Sequence, residues 1–177
     1  MKTIQYKVYD KEGKLRKLID KNKEKQLNDD EWLNGVTCFV INEKGEALIE
    51  KRVNKGLTPG KLDLCSGHVD GEETQTQAMI RELKEELGIE ANPEELIYCC
   101  VRKGMYEDVF YGRRFVDNQI SNVYLLWKND LEIEEYTIQE SEIESICFME
   151  FEACYEAVAK RQIPNCIALM ELDMLKA

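Results

Sequence analysis

The sequence predicts an α/β sandwich on a mixed sheet. Three observations carry that expectation: short apolar, β-branched runs bounded by Gly, Pro and Asn; one uninterrupted amphipathic stretch in mid-chain; and helical patterns again only near the C-terminal end. A length of 177 residues fits one domain with a full hydrophobic core. Residues 1–177 are therefore read as a single unit, with an N-terminal strand and arm over 1–30 and helices over 151–177.

Thr3 to Tyr9 reads as a strand, Asp10 to Gly13 as a turn, and the charge-dense run Lys14 to Leu27 as a connecting arm or hairpin. Trp32 to Ile41 is a nearly continuous apolar strand. The turn Asn42 to Gly45 returns it as Ala47 to Arg52, a hairpin. Asn54 to Lys61, with Gly56, Pro59 and Gly60, is an irregular loop, after which Leu62 to Ser66 delivers the chain to Gly67. Beyond the central helix, Pro93 to Glu95 turns into the strand Leu96 to Arg102. A loop from Lys103 to about Asn118 and a buried strand Gln119 to Trp127 follow. Asp130 to Glu144 is acidic loop and Ser145 to Glu150 a short strand. Phe151 to Arg161 and Asn165 to Lys176 read as helices, with Pro164 tolerated at the first turn of the second.

The central helix is expected from Gln75 to Leu87. Thr74 and Gln77 make a capping box, nothing breaks the run, and Gly88 sits where a left-handed stop belongs. At about 100° per residue, Glu82, Glu85 and Glu86 share one face while Met79, Ile80, Leu83 and Leu87 form the adjoining one. A solvated face is the ordinary reading of three glutamates. Against it, packed like charges repel, and the one compensating cation on that arc is Arg81, four before Glu85. A divalent cation would turn the liability into a site, since Mg²⁺ takes carboxylate oxygens and bridges to phosphates.

Composition narrows the partners. A hydrophobic content of 44% with 33% charged residues is that of a globular protein, and a net charge of -11 argues against nucleic acid or an anionic membrane as partner. A polyphosphate stays open, because a bound metal and a few local Arg or Lys can reverse the field inside one cleft. The N-terminus lacks the pattern of a signal peptide and no window reaches the length of a membrane span, so a cytoplasmic location is expected. Seven cysteines at 38, 65, 99, 100, 147, 154 and 166 show no C-x-x-C spacing and are read as buried reduced thiols. With His68 the only histidine, a Cys/His zinc site is not expected.

Gly67, Glu73, Arg81, Glu82, Leu83, Glu85, Glu86, Gly88 and Ile89 stand in the spacing of the Nudix hydrolase signature, which this stretch resembles. The resemblance implies a Nudix-type alpha/beta/alpha sandwich with mixed sheet. It also implies a metal-dependent hydrolase cleaving a diphosphate linkage in a nucleoside diphosphate linked to another moiety, by water attack on phosphorus, with Mg²⁺ or Mn²⁺ as cofactor. In that family Glu85 and Glu86 would be principal metal ligands, Glu82 a ligand or proton acceptor, and the Gly67 carbonyl a further ligand. Arg81 and Glu73 would orient the glutamates. An additional base from a later loop would fall at Glu140, Glu142 or Glu144. The partner would be a small nucleoside diphosphate-linked substrate, and Nudix enzymes are often homodimers.

The substrate wall is sought between Arg102 and Phe115, where Tyr106, Phe110 and Tyr111 could stack a base and Arg113 and Arg114 could meet phosphate. Arg52, at a strand end, is a further candidate. Two alternatives stand beside the hydrolase. Lys51 to His68 resembles the stretch leading to the catalytic Cys and metal-binding His of isopentenyl diphosphate isomerases, but that Cys directly precedes the Gly, where this chain has Ser66, with Cys65 one place early. The other is a catalytically silent binding module on the same scaffold, which would usually have lost box glutamates.

Overall fold

A computed structural model describes residues 5–20, 27–56, 58–110, 112–129 and 131–176. Its strands are β1 (Gln5–Tyr9), β2 (Leu15–Asp20), β3 (Trp32–Ile41), β4 (Glu46–Arg52), β5 (Leu62–Asp63), β6 (Cys65–His68), β7 (Ile97–Phe110), β8 (Arg113–Trp127) and β9 (Ile143–Glu150). Its helices are α1 (Gln75–Leu87), α2 (Phe151–Ala159) and α3 (Leu169–Lys176). None of these helices is long and apolar enough to cross a membrane.

The sheet is mixed and centred on β3. One edge of β3 runs parallel to β8 from Leu33 opposite Gln119 to Ile41 opposite Trp127. Its other edge is shared: β1 pairs at Leu33, β6 at Gly35 to Cys38 and β4 at Ile41, all antiparallel. A strand paired on both edges and covered on both faces reads as an unbroken apolar run, which is why Trp32 to Ile41 lacks alternation. Period two sorts its side chains. Val36, Cys38 and Val40, with Leu48 and Cys65, pack under Ala78, Met79, Leu83 and Leu87 of α1. Phe39 and Ile41, with Ala47, Ile49 and Leu64, pack against Cys154 and Val158 of α2 and Leu172 of α3. The result is the α/β/α sandwich expected.

Several boundaries move. The expected loop over 103–118 is instead the outer half of a long hairpin: β7 and β8 pair without a break from Cys100 opposite Val123 to Phe110 opposite Arg113, turning at Gly112 with φ 76°. Its alternation is there, with exposed Val101, Met105 and Val109 facing away from half-buried Arg102, Gly104, Tyr106 and Asp108. The many polar residues obscure it. In the charged arm, Leu15 to Asp20 pairs with β1, so the hairpin alternative is the correct one there. Residues 3, 4, 21–26 and Tyr111 lie outside the described residues.

The strand Leu62 to Ser66 is two strands, Leu62 and Asp63 pairing with β4 and Cys65 to His68 with β3. The last helix begins at Leu169 rather than Asn165, because the backbone before it is held elsewhere. Leu62 N donates to Pro164 O and Cys166 N to Leu62 O. Of the cysteines, Cys38, Cys65 and Cys154 are buried, three are half-buried and Cys147 is exposed; all are free thiols.

Candidate active site

The site is built where β6 runs under α1. The helix is fixed at both ends: the capping box of Thr74 and Gln77 is formed, and Gly88 is left-handed at φ 70° with its N–H on the carbonyls of Leu83 and Lys84. Gly67, paired with Val36, passes so close beneath the helix that a Cβ there would overlap the Glu82 carboxylate.

Arg81 is the strap of the site. Its Nε and Nη2 clasp the Glu73 carboxylate at 2.8 and 3.1 Å, Nη2 also donates to His68 O at 3.0 Å, and Nη1 donates to Glu82 Oε1 at 2.7 Å and Glu85 Oε2 at 3.1 Å. Glu73 in turn accepts from Asp70 N at 3.0 Å. One guanidinium thus sets two of the helix glutamates and ties the box loop to the helix.

The three glutamates differ. The Glu85 side chain, 53% exposed, is at the rim, whereas that of Glu82 is 13% exposed. Glu86 is buried and accepts from Ser66 N at 3.1 Å; burial, then repulsion from Glu50 and Glu82, pushes its carboxyl well above the usual range. Glu50 does not stand out in the sequence. It lies on β4 on the same face as Leu48 and is 1% exposed. Burial, then the charge of Asp63, pushes its carboxyl up to about 8. The available signal was period two: Leu48, Glu50 and Arg52 fall on one side of a strand whose neighbours are apolar.

The glutamates open onto a cleft of roughly 1850 Å³. Arg52 lines it, with Nη1 on Asp63 Oδ2 at 3.3 Å and Nε buried without a partner. Burial pushes Asp63 up to about 6 despite Arg52. Tyr106 stands on the hairpin wall, its hydroxyl donating to Asp108 Oδ2 at 2.9 Å and its ring edge-on to Phe115 at 6.3 Å. Arg113 is at the mouth, exposed. Arg114 also borders the cleft but is occupied by Glu107 and Asp29. Glu142 lines the cleft and Glu140, exposed, does not. The segment carrying them is tied to α1 by Thr137 N on Leu87 O and Gln139 N on Glu86 O. His68, its ring tilted against that of Tyr6, shares a polar cluster with Asp117 and Gln119, two cleft residues that the sequence does not flag.

Among known proteins, the NUDIX domain family model matches residues 32–166. An uncharacterized Nudix hydrolase of Clostridium acetobutylicum is 30% identical over 151 residues, 82% of this chain and 69% of its own length. Isopentenyl-diphosphate Delta-isomerase 1 of Photorhabdus laumondii is 33% identical over 105 residues, 57% of this chain and 56% of the isomerase. In fold, the chain resembles the crystal structure of a Deinococcus radiodurans protein with a TM-score of 0.70, at 17% identity and covering 96% of this chain and 97% of that one. Fold and site together define a Nudix-type pyrophosphohydrolase class. The chain belongs to the Nudix family.

Proposed function

We propose that this protein hydrolyses a diphosphate linkage in a nucleoside diphosphate linked to another moiety, by attack of water on phosphorus, with Mg²⁺ or Mn²⁺ as cofactor. The observation that carries the reading is the carboxylate set of Glu82 and Glu86 beside the close-approach Gly67, opening on one cleft. The donor chemistry fits a hard divalent cation, because Glu82, Glu85 and Glu86 bring carboxylate oxygens to one cleft and Glu86 is itself buried. Glu82, Glu86 and the Gly67 carbonyl would hold the ion, with Glu85 completing the set at the rim. When bound, such an ion supplies charge neutralisation at the phosphoryl oxygens and lowers the pKa of a water.

The chain's own residues do the rest. Arg81 fixes the rotamer of Glu82 and draws Glu85 inward, and the Ser66 N–H holds Glu86. Glu142, on a segment anchored to the helix end, is the candidate to take a proton from the attacking water. Arg52 and Arg113 would meet phosphate oxygens, and Tyr106 with Phe115 would form the apolar wall for a base.

An isomerase reading rests on the Photorhabdus similarity and His68. It is disfavoured by Cys65, which is buried on the core side and does not line the cleft, whereas Ser66 does. The deciding assay is chromatographic detection of nucleotide products from dinucleoside polyphosphates, nucleotide sugars and nucleoside triphosphates with Mg²⁺ or Mn²⁺, beside isopentenyl diphosphate conversion. Glu86→Gln should lower hydrolysis by about 10²-fold or more with the fold intact. Full activity in that variant would overturn the reading, and inactivity on every substrate would favour a binding module.

A further inference from the structure

We propose that Glu50, Cys65 and Glu86 form a second, inner cation site between the sheet and α1, one that takes a thiophilic divalent ion of the Zn²⁺ or Co²⁺ class. One ligand atom from each, two carboxylate oxygens and the Cys65 Sγ, lies within 4.8 Å of the other two, and all three residues are buried. Three elements deliver them: β4 turns Glu50 to the helix face after Leu48, β6 turns Cys65 the same way, and α1 presents Glu86.

An acidic cluster with a thiol would mean little by itself. The independent observation is that Glu50, a member of this group and 1% exposed, has a carboxylate oxygen, Oε1, buried with no hydrogen-bond partner. A buried carboxylate oxygen that meets no donor is costly, and a cation completes it. The local charge points the same way. Glu50, Glu86 and Asp63 are neighbours of one guanidinium, Arg52, which is already engaged by Asp63.

Ligand softness selects the ion. Mg²⁺ demands an oxygen octahedron and keeps several waters, whereas Zn²⁺ and Co²⁺ accept sulfur with carboxylate in fewer-coordinate sites. Cys65 is 2% exposed, which suits a small dry shell and not a hydrated one. Binding replaces the S–H bond by a metal–sulfur bond at the same lone pair, and the proton leaves to solvent. Because Glu86 belongs to both sites, a soft ion here would withdraw it from the hydrolytic ion. The site itself rests on the placement of Glu86 and not on the hydrolase reading.

The test is a Co²⁺ titration of the metal-free full chain without substrate, followed by the near-ultraviolet sulfur-to-cobalt charge-transfer band. The expected result is a band saturating at one equivalent, bleached by Zn²⁺ and not by equimolar Mg²⁺. Cys65→Ser should abolish the band, and Glu50→Gln should weaken Co²⁺ binding by about tenfold or more. Circular dichroism reports the folding of each variant, and the Glu50 variant serves if the buried serine is not tolerated. No band in the wild type, a band that survives Cys65→Ser, or unchanged affinity in folded Glu50→Gln would overturn the proposal. No turnover is read, so a failed titration leaves the hydrolase reading standing and an inactive enzyme leaves the site standing.

Discussion

Gly67 shows how much one residue can decide. It sits in a strand with an ordinary backbone, so alanine there meets no conformational penalty; what it meets is the Glu82 carboxylate. Gly67→Ala should therefore keep the fold and push Glu82 out of its place beside Arg81. The expected outcome is turnover down by about tenfold or more with an unchanged circular dichroism spectrum. An enzyme of wild-type kcat would mean Glu82 can move without consequence. At this scale the helix glutamates and Arg81 were legible because i, i+3 and i+4 on a helix share a face whatever the tertiary context. Glu50 was not, because only the pairing of β4 with its neighbours and the packing of α1 carry it to Glu86. Tyr106 and Arg113 fall between these cases: both border the cleft, yet Tyr106 spends its hydroxyl on Asp108, and Glu140 lies outside.

At the scale of elements, legibility followed local signals. The bounds of α1 matched residue for residue, since its start and stop are written in Thr74, Gln77 and Gly88. Thr74→Ala removes the hydroxyl that accepts from Gln77 N, an exposed cap, and should cost about 1 kcal/mol. For a chain of this length that is a fall in Tm of about 2–4 °C. A melt unchanged by the substitution would show that packing alone holds the helix start. The outer half of the β7–β8 hairpin reads as loop in the sequence because its strands owe their pairing to each other. Polar Tyr106 and Asp108 look like loop residues until the opposite strand, with Asp117 and Phe115, is supplied. The late start of α3 has the same origin, since a backbone pair between residues 62 and 164–166 competes with helix and wins.

At the scale of the whole molecule, the cleft has to be held to a width, and one ion pair ties its hairpin wall to the last helix. Arg102 of β7, lying over Gly104, donates through Nε to Glu171 of α3 at 2.5 Å, and Glu171 is 2% exposed. The Glu171 carboxylate also accepts from Ala168 N at 3.3 Å at the start of that helix. The two ends of the pair are not equivalent. Arg102→Met leaves a buried carboxylate without its cation, which should cost about 3–5 kcal/mol. Glu171→Gln leaves a guanidinium that can reach water, and the glutamine oxygen can still accept from Ala168 N, so the loss should be smaller. The double variant should lose less than the sum of the two, a positive coupling measured by denaturant melts on all four proteins. If Arg102→Met melts like the wild type, the pair is idle and the width of the cleft is set by packing of Leu172 and Val158 alone.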